Sequence, residues 1–153
     1  MSDERELYCL LLPLGGGKLL LPRRIVEEVR GLVPPTPVPG APAWLLGCIP
    51  WRDGRIPLLA MEPLLDARVP DSSRRSRMVI VRAPATTLKP PAIAILTQGF
   101  PYILRVTPTL LGSSFVPRHE ALLAELNLGF ERPVIPDLPA LAEEAVEFLA
   151  ARG

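Results

Sequence analysis

Hydrolytic chemistry needs a nucleophile, a base and an orienting acid. The sequence offers one histidine, His119, with Ser113 and Ser114 just upstream. No Gly-x-Ser-x-Gly elbow frames either serine, and Gly112-Ser113-Ser114-Phe115 reads as a turn before an apolar residue. His119 stands between Arg118 and Glu120 and reads as a solvated side chain. Zinc takes three or four nitrogen or sulfur ligands at suitable spacing, whereas Cys9, Cys48 and His119 are widely separated. Gly15-Gly16-Gly17-Lys18 is followed by Leu19, not by the Ser or Thr of a phosphate loop, so it reads as a β-turn. Glu27-Glu28 and Glu143-Glu144 are adjacent pairs, not carboxylates facing each other across a cleft. Arg68, Arg74, Arg75 and Arg77 form a basic stretch with interleaved serines and no aromatic. It therefore lacks the stacking platform of a single-strand binder and reads as a solvated connection. The expectation is a chain with no catalytic residues, no metal and no cofactor: an adaptor or binding module.

The elements that position these residues follow from composition and punctuation. The chain has 153 residues, 48% hydrophobic and 22% charged, which is ample for a core and excludes general disorder. It carries 20 prolines, and their scatter leaves little room for long helices. The net charge of +1 supplies no field to steer nucleic acid or an anionic membrane toward the protein. Met1 to Glu6 mixes signs and leans acidic, unlike the basic start of a secretory signal. The longest uncharged run, 32–51, holds six prolines and cannot form a membrane helix. A soluble, cytoplasmic protein is expected, with Cys9 and Cys48 as buried thiols rather than a disulfide.

Residues 6–21 read as a hairpin turning at the triple glycine. A helical turn and a strand follow over 23–33, then an extended crossing over Pro34–Pro42, where each proline removes a ladder donor. Trp44–Arg52 and Arg55–Ala60 form a second hairpin around Asp53-Gly54. Glu62–Asp66 reads as a short helical turn. Arg77–Arg82 has apolar residues on both faces and predicts a central strand. Strands are also expected at 92–97 and 101–106, a short helix at 118–126, and a closing strand pair at 127–130 and 133–135. Asp137 caps a final helix whose stripe is Leu138, Ala142, Ala145 and Leu149. About ten short strands with proline-rich turns indicate a sandwich or small barrels.

Val26-Glu27-Glu28-Val29-Arg30-Gly31 resembles the Val-x-Glu-Ile/Val stretch of CheW-like chemotaxis coupling proteins. In that family a proline-containing crossing follows, then Gly-x-x-Asn-x-Arg-Gly, then Pro-Val-Ile-Asp-Leu. Here the second block reads Gly47-Cys-Ile-Pro-Trp-Arg52-Asp-Gly-Arg-Ile-Pro57-Leu-Leu-Ala-Met61, with Pro50, Asp53 and Ala60 at the family's Asn, Gly and Asp. Val134-Ile-Pro-Asp137-Leu138 is similar to the family's closing strand and terminal helix.

The resemblance implies a mainly β fold of two SH3-like five-stranded barrel lobes sharing an apolar core. The first lobe is expected at about 15–75. The second is expected at about 76–136, joined by the N-terminal strand 6–12 and followed by a helix at 138–151. It also implies a non-enzymatic adaptor that links the cytoplasmic tip of a methyl-accepting chemoreceptor to a CheA-type histidine kinase. The divergent blocks suggest a pilus-motility branch. Val26 and Val29 would supply apolar contact, and Glu28 and Arg52 charge, to a helical partner in a groove. Two roles stay open for Arg52: contact with a partner, or an internal ion pair with Glu28. Trp51 is either an interface anchor at a turn or a core residue. The alternatives are a module that binds only a kinase or pilus regulator, and a small barrel that holds an apolar ligand.

Overall fold

The computed structural model describes residues 7–84, 87–107, 115–116, 122–129 and 131–150. Among these, eleven strands form a six-stranded and a five-stranded sheet. β1 (Leu7–Leu14) and β2 (Gly17–Pro22) form the first hairpin, and a 3-10 turn (Arg23–Ile25) leads into β3 (Val26–Gly31). β4 (Leu45–Trp51) and β5 (Gly54–Leu59) form the second hairpin; a 3-10 turn (Glu62–Leu65) follows, then β6 (Arg77–Arg82) and β7 (Ala92–Thr97). β8 (Tyr102–Val106), β9 (Phe115–Val116), β10 (Leu122–Leu126), β11 (Val134–Pro136) and the helix α1 (Leu138–Ala150) complete the chain.

The sheet orders are β8-β1-β2-β11-β10-β9 and β3-β6-β7-β5-β4. This division differs from the expected lobes. β2 stays with β1, while β6 and β7 add to β3, β4 and β5. The polar stretch 67–76 is thus a connection within one sheet, and the chain changes sheets between β2 and β3 and again between β7 and β8. The physical reason lies in β6. Its alternate residues face both ways, Val79 and Val81 into the shared seam and Met78 and Ile80 into the inside of the five-stranded lobe, so a place in that sheet covers both of its faces.

Three apolar clusters show how the sheets are used. Ile49, Trp51, Ile56, Leu58, Met78 and Ile80 fill the inside of the five-stranded lobe. Cys9, Leu11, Leu20, Val106, Leu126 and Leu128 fill the six-stranded lobe. Between them, Leu10, Leu12, Leu19 and Leu21 meet Leu59, Val79, Val81, Ile93 and Ile95, with Leu138, Leu141, Ala142 and Ala145 of α1 covering the seam. Alternate residues of one strand thereby serve two cores, as the two-residue period of a strand requires. Polar ties cross the same seam. Gln98 N–H donates to Pro13 O at 2.9 Å. The fully buried Glu62 accepts at Oε2 from Gly15 N–H (2.9 Å) and from Gln98 Nε2 (3.0 Å).

The five-stranded sheet closes on itself through the proline crossing. Thr36 exchanges two backbone hydrogen bonds with Cys48 of β4, at 2.8 and 2.9 Å. Gly47 makes this approach possible: its φ is +145°, and a Cβ there would stand 2.2 Å from Thr36 O.

The expected helix at 118–126 is overturned over 122–126, which form β10. The closing pair is accordingly β10 with β11, continued by Leu126 N–H to Pro133 O and Leu128 N–H to Glu131 O, rather than a strand starting at 127. Leu126 and Leu128 are buried in the six-stranded lobe, and this burial overrides the helical leaning of Leu-Leu-Ala-Glu-Leu. The capped final helix is as expected: Ala140 N–H donates to Asp137 Oδ1 at 3.1 Å.

Candidate partner-binding site

β3 is an outer strand, and its exposure rises along its length. Val26 and Glu27 are half-buried; Glu28, Val29, Arg30 and Gly31 are exposed. Val26 packs against the central apolar cluster, whereas Val29 is 37% exposed. The pairing with β6 shifts register between Val26 and Glu28. In a regular strand Glu27 and Glu28 would point to opposite faces. The bulge re-aims one of them, and both carboxylates reach the Trp51–Arg52 corner.

That corner is built by the β4–β5 hairpin. Trp51 pairs with Gly54, so the two loop residues are Arg52 and Asp53, not the Asp53-Gly54 pair expected from the sequence. Arg52 takes the left-handed conformation at φ 51°. Its guanidinium lies 4.1 Å over the Trp51 ring and pairs with Glu27 Oε1 at 3.0 Å. Arg82 Nε joins Glu27 Oε2 at 3.3 Å. The acid facing Arg52 is therefore Glu27, one position before the Glu28 considered for an internal pair. Glu28 instead accepts the indole N–H of Trp51 at 2.5 Å. Trp51 is 3% exposed, so of its two expected roles it takes core packing, and it supports Arg52 from below. Arg52, with its side chain 63% exposed, remains at the surface.

Beside this corner, at the junction of the two sheets, lies an apolar groove of about 550 Å³. Leu7, Tyr8 and Cys9 of β1 form one side; Pro22, Arg23, Arg24 and Val26 form the other. Leu7 and Tyr8 are 42% and 46% exposed. Arg82 donates to Arg24 O, fixing the groove's basic rim to β6. Val26 is the one expected site residue that lines it. Leu7 and Tyr8 carry no mark of exposure in the sequence, because they open a strand whose next four residues are buried.

His119, Ser113 and Ser114 lie outside the described residues. Among the described residues no group of three His, Cys, Asp or Glu side chains could hold a metal ion. Cys9 and Cys48 are free, and burial pushes both thiols up. Among the described residues no helix is long and apolar enough to cross a membrane.

The site thus sits on a fold of two small β lobes over a common core, with charged and apolar surface at their junction. The family model for the CheW-like domain matches residues 8–146, and the chain belongs to that family. The fold is similar to the crystal structure of the scaffolding protein TtCheW from Thermoanaerobacter tengcongensis, with a TM-score of 0.69 at 16% identity. That match covers 87% of this chain and 90% of the other. A comparison with curated protein sequences gives no match. Proteins of the CheW-like family are scaffolds rather than enzymes, and this chain carries that family's domain over most of its length. The SH3-like lobes are as the resemblance implied, with six strands rather than five in the sheet that holds both β1 and β11.

Proposed function

We propose that this protein is an adaptor that links the helical tip of a chemoreceptor to a CheA-type histidine kinase, in a chemotaxis-like or pilus-motility system. The observation that carries the reading is the junction groove with its neighbouring corner. An apolar channel rimmed by Arg23 and Arg24 suits an amphipathic helix carrying acidic residues beside its apolar stripe. Val29, Glu28 and Arg52 extend the same surface along β3 and the β4–β5 turn. Charges so placed govern partner choice and association rate more than affinity.

The apolar-ligand reading finds no support in the lobe interiors, which are filled by their own side chains, Trp51 and Met78 in one and Leu11 and Leu20 in the other. The test is co-purification of the tagged chain with a receptor cytoplasmic fragment and with a CheA-type kinase, each separately and then together. A ternary complex is expected. Capture of the kinase alone would overturn the receptor half of the proposal and leave the narrower kinase-binding module.

A further inference from the structure

A second recess, of about 470 Å³, lies on the opposite chemical footing to the groove. Its lining includes Arg74, Arg75 and Arg77, together with Gln98, Phe100 and Pro13. Among the described residues three guanidinium groups and no carboxylate line it, in a chain whose net charge is only +1.

The recess has the missing half of a recognition site. The basic stretch reads in sequence as lacking an aromatic platform, yet the fold brings Phe100 onto it. The guanidinium of Arg77 stacks 4.1 Å from the Phe100 ring centroid. The ring is nevertheless 65% exposed, so it keeps a free surface. An exposed Phe beside a stacked cation offers a flat ligand both dispersion and charge.

The arginines sit on an ordered loop. Ser73 N–H donates to the hydroxyl of buried Ser76 at 2.9 Å, and Ser76 N–H returns to Ser73 O at 3.1 Å. Arg77 Nη1 donates to Arg74 O and to Ser76 O, at 2.7 and 2.8 Å. Arg77 is thus committed to the loop and the ring, while Arg74 and Arg75 are exposed and pair with no acid among the described residues. Across the recess, Gln98 is held by Glu62 through its amide nitrogen, which leaves its amide oxygen to accept. Pro13 comes from the other sheet, so the recess spans the seam where Gln98 N–H meets Pro13 O.

We propose that this recess binds a nucleotide, with the base on Phe100 and the phosphate on Arg74 and Arg75. The volume falls in the range of small-ligand sites. Guanidinium forks match phosphate oxygens, and base–aromatic stacking tolerates any base because each has a π-face. An apolar helix has its own groove at the lobe junction and no apolar channel here.

The test is calorimetric titration of the full chain with GMP, guanosine and inorganic phosphate. GMP should bind, with guanosine and phosphate each weaker by roughly tenfold or more. Phe100→Ala should weaken GMP by about tenfold, as the loss of one stacking surface does, and leave phosphate binding unchanged. The double variant Arg74→Ala/Arg75→Ala should remove both. Both sites are exposed, so melting temperatures should match the parent and exclude misfolding as the cause. Equal affinity for GMP and phosphate would overturn the proposal, as would GMP binding that is indifferent to Phe100→Ala. Binding of a Glu-rich peptide with no response to GMP would overturn it in favour of an acidic protein segment.

Discussion

The indole N–H of Trp51 donates to Glu28 Oε1 at 2.5 Å, and this bond joins β4 to β3, the two outermost strands of the five-stranded sheet. Together with the Thr36–Cys48 bridge it curls the sheet into a closed lobe. Trp51→Phe keeps most of the buried ring and removes the donor. Glu28 is exposed and recovers water, so the cost should be about 1 kcal/mol. Trp51→Ala empties the ring's place in the core and should cost roughly 3–5 kcal/mol. Urea unfolding of the two variants checks the ratio; equal losses would show that the hydrogen bond, not the ring, dominates.

Arg52→Glu places a carboxylate beside Glu27, which keeps its second partner, Arg82. Exposed pairs contribute little, so stability should fall by about 1 kcal/mol or less. If the surface is the docking site, affinity for the kinase or receptor should drop by roughly fivefold or more. Glu27→Arg in the same chain should restore only part of the lost stability, because it also sets a second cation beside Arg82, whereas Glu28→Arg should restore none, because the pairing in the structure is with Glu27. Melting and partner affinity for the set separate an internal role from contact.

Gly47→Ala should be among the most damaging single changes. The new Cβ meets Thr36 O at 2.2 Å, and φ is +145°. Relief requires breaking the Thr36–Cys48 bridge or rebuilding β4, at a cost of about 3 kcal/mol. Loss of amide protection at Thr36 and Cys48 in hydrogen exchange, ahead of global unfolding, is the expected signature.

Glu62 serves two donors through Oε2, while Oε1 is buried with no hydrogen-bond partner. Glu62→Gln retains one oxygen for Gly15 N–H and Gln98 and should change stability by about 1 kcal/mol or less. Glu62→Ala orphans the Gly15 N–H at the β1–β2 turn and should cost about 2 kcal/mol or more. Denaturant midpoints of the pair decide it; equal losses would mean that the carboxyl itself, and not its acceptor role, matters.

The strand sequence was legible because apolar runs and Pro/Gly punctuation are local signals, and the Asp137 cap and α1 stripe are likewise local. β10 was illegible because Leu122–Leu126 has helix-forming residues, and its state is decided by pairing with β11 and by the burial of Leu126 in the six-stranded lobe. The Arg52–Glu27 pair depends on a bulge in β3, which leaves no mark in the identities of Glu27 and Glu28. Phe100 could not be assigned to the basic loop because it lies 23 positions after Arg77 and reaches it only through the β6–β7 pairing. Site residues given by the resemblance lie together around β3 and the β4–β5 turn; those of the groove wall on β1 had no sequence cue.

The assignment of strands to sheets also sets an order of assembly. Residues 26–97 hold every strand of the five-stranded lobe in one uninterrupted stretch. The other lobe needs β1 and β2 from the start of the chain and β8 to β11 from its end. During synthesis the nested lobe can complete its ladder while the opening hairpin still waits for β8 and β11. The outer lobe then forms against a finished surface, after the costliest loop closure in the chain. In pulse-labelled hydrogen exchange during refolding, amides of β5, β6 and β7 should gain protection before those of β1 and β2. Simultaneous protection would show that the shared seam, not the nested lobe, nucleates the fold.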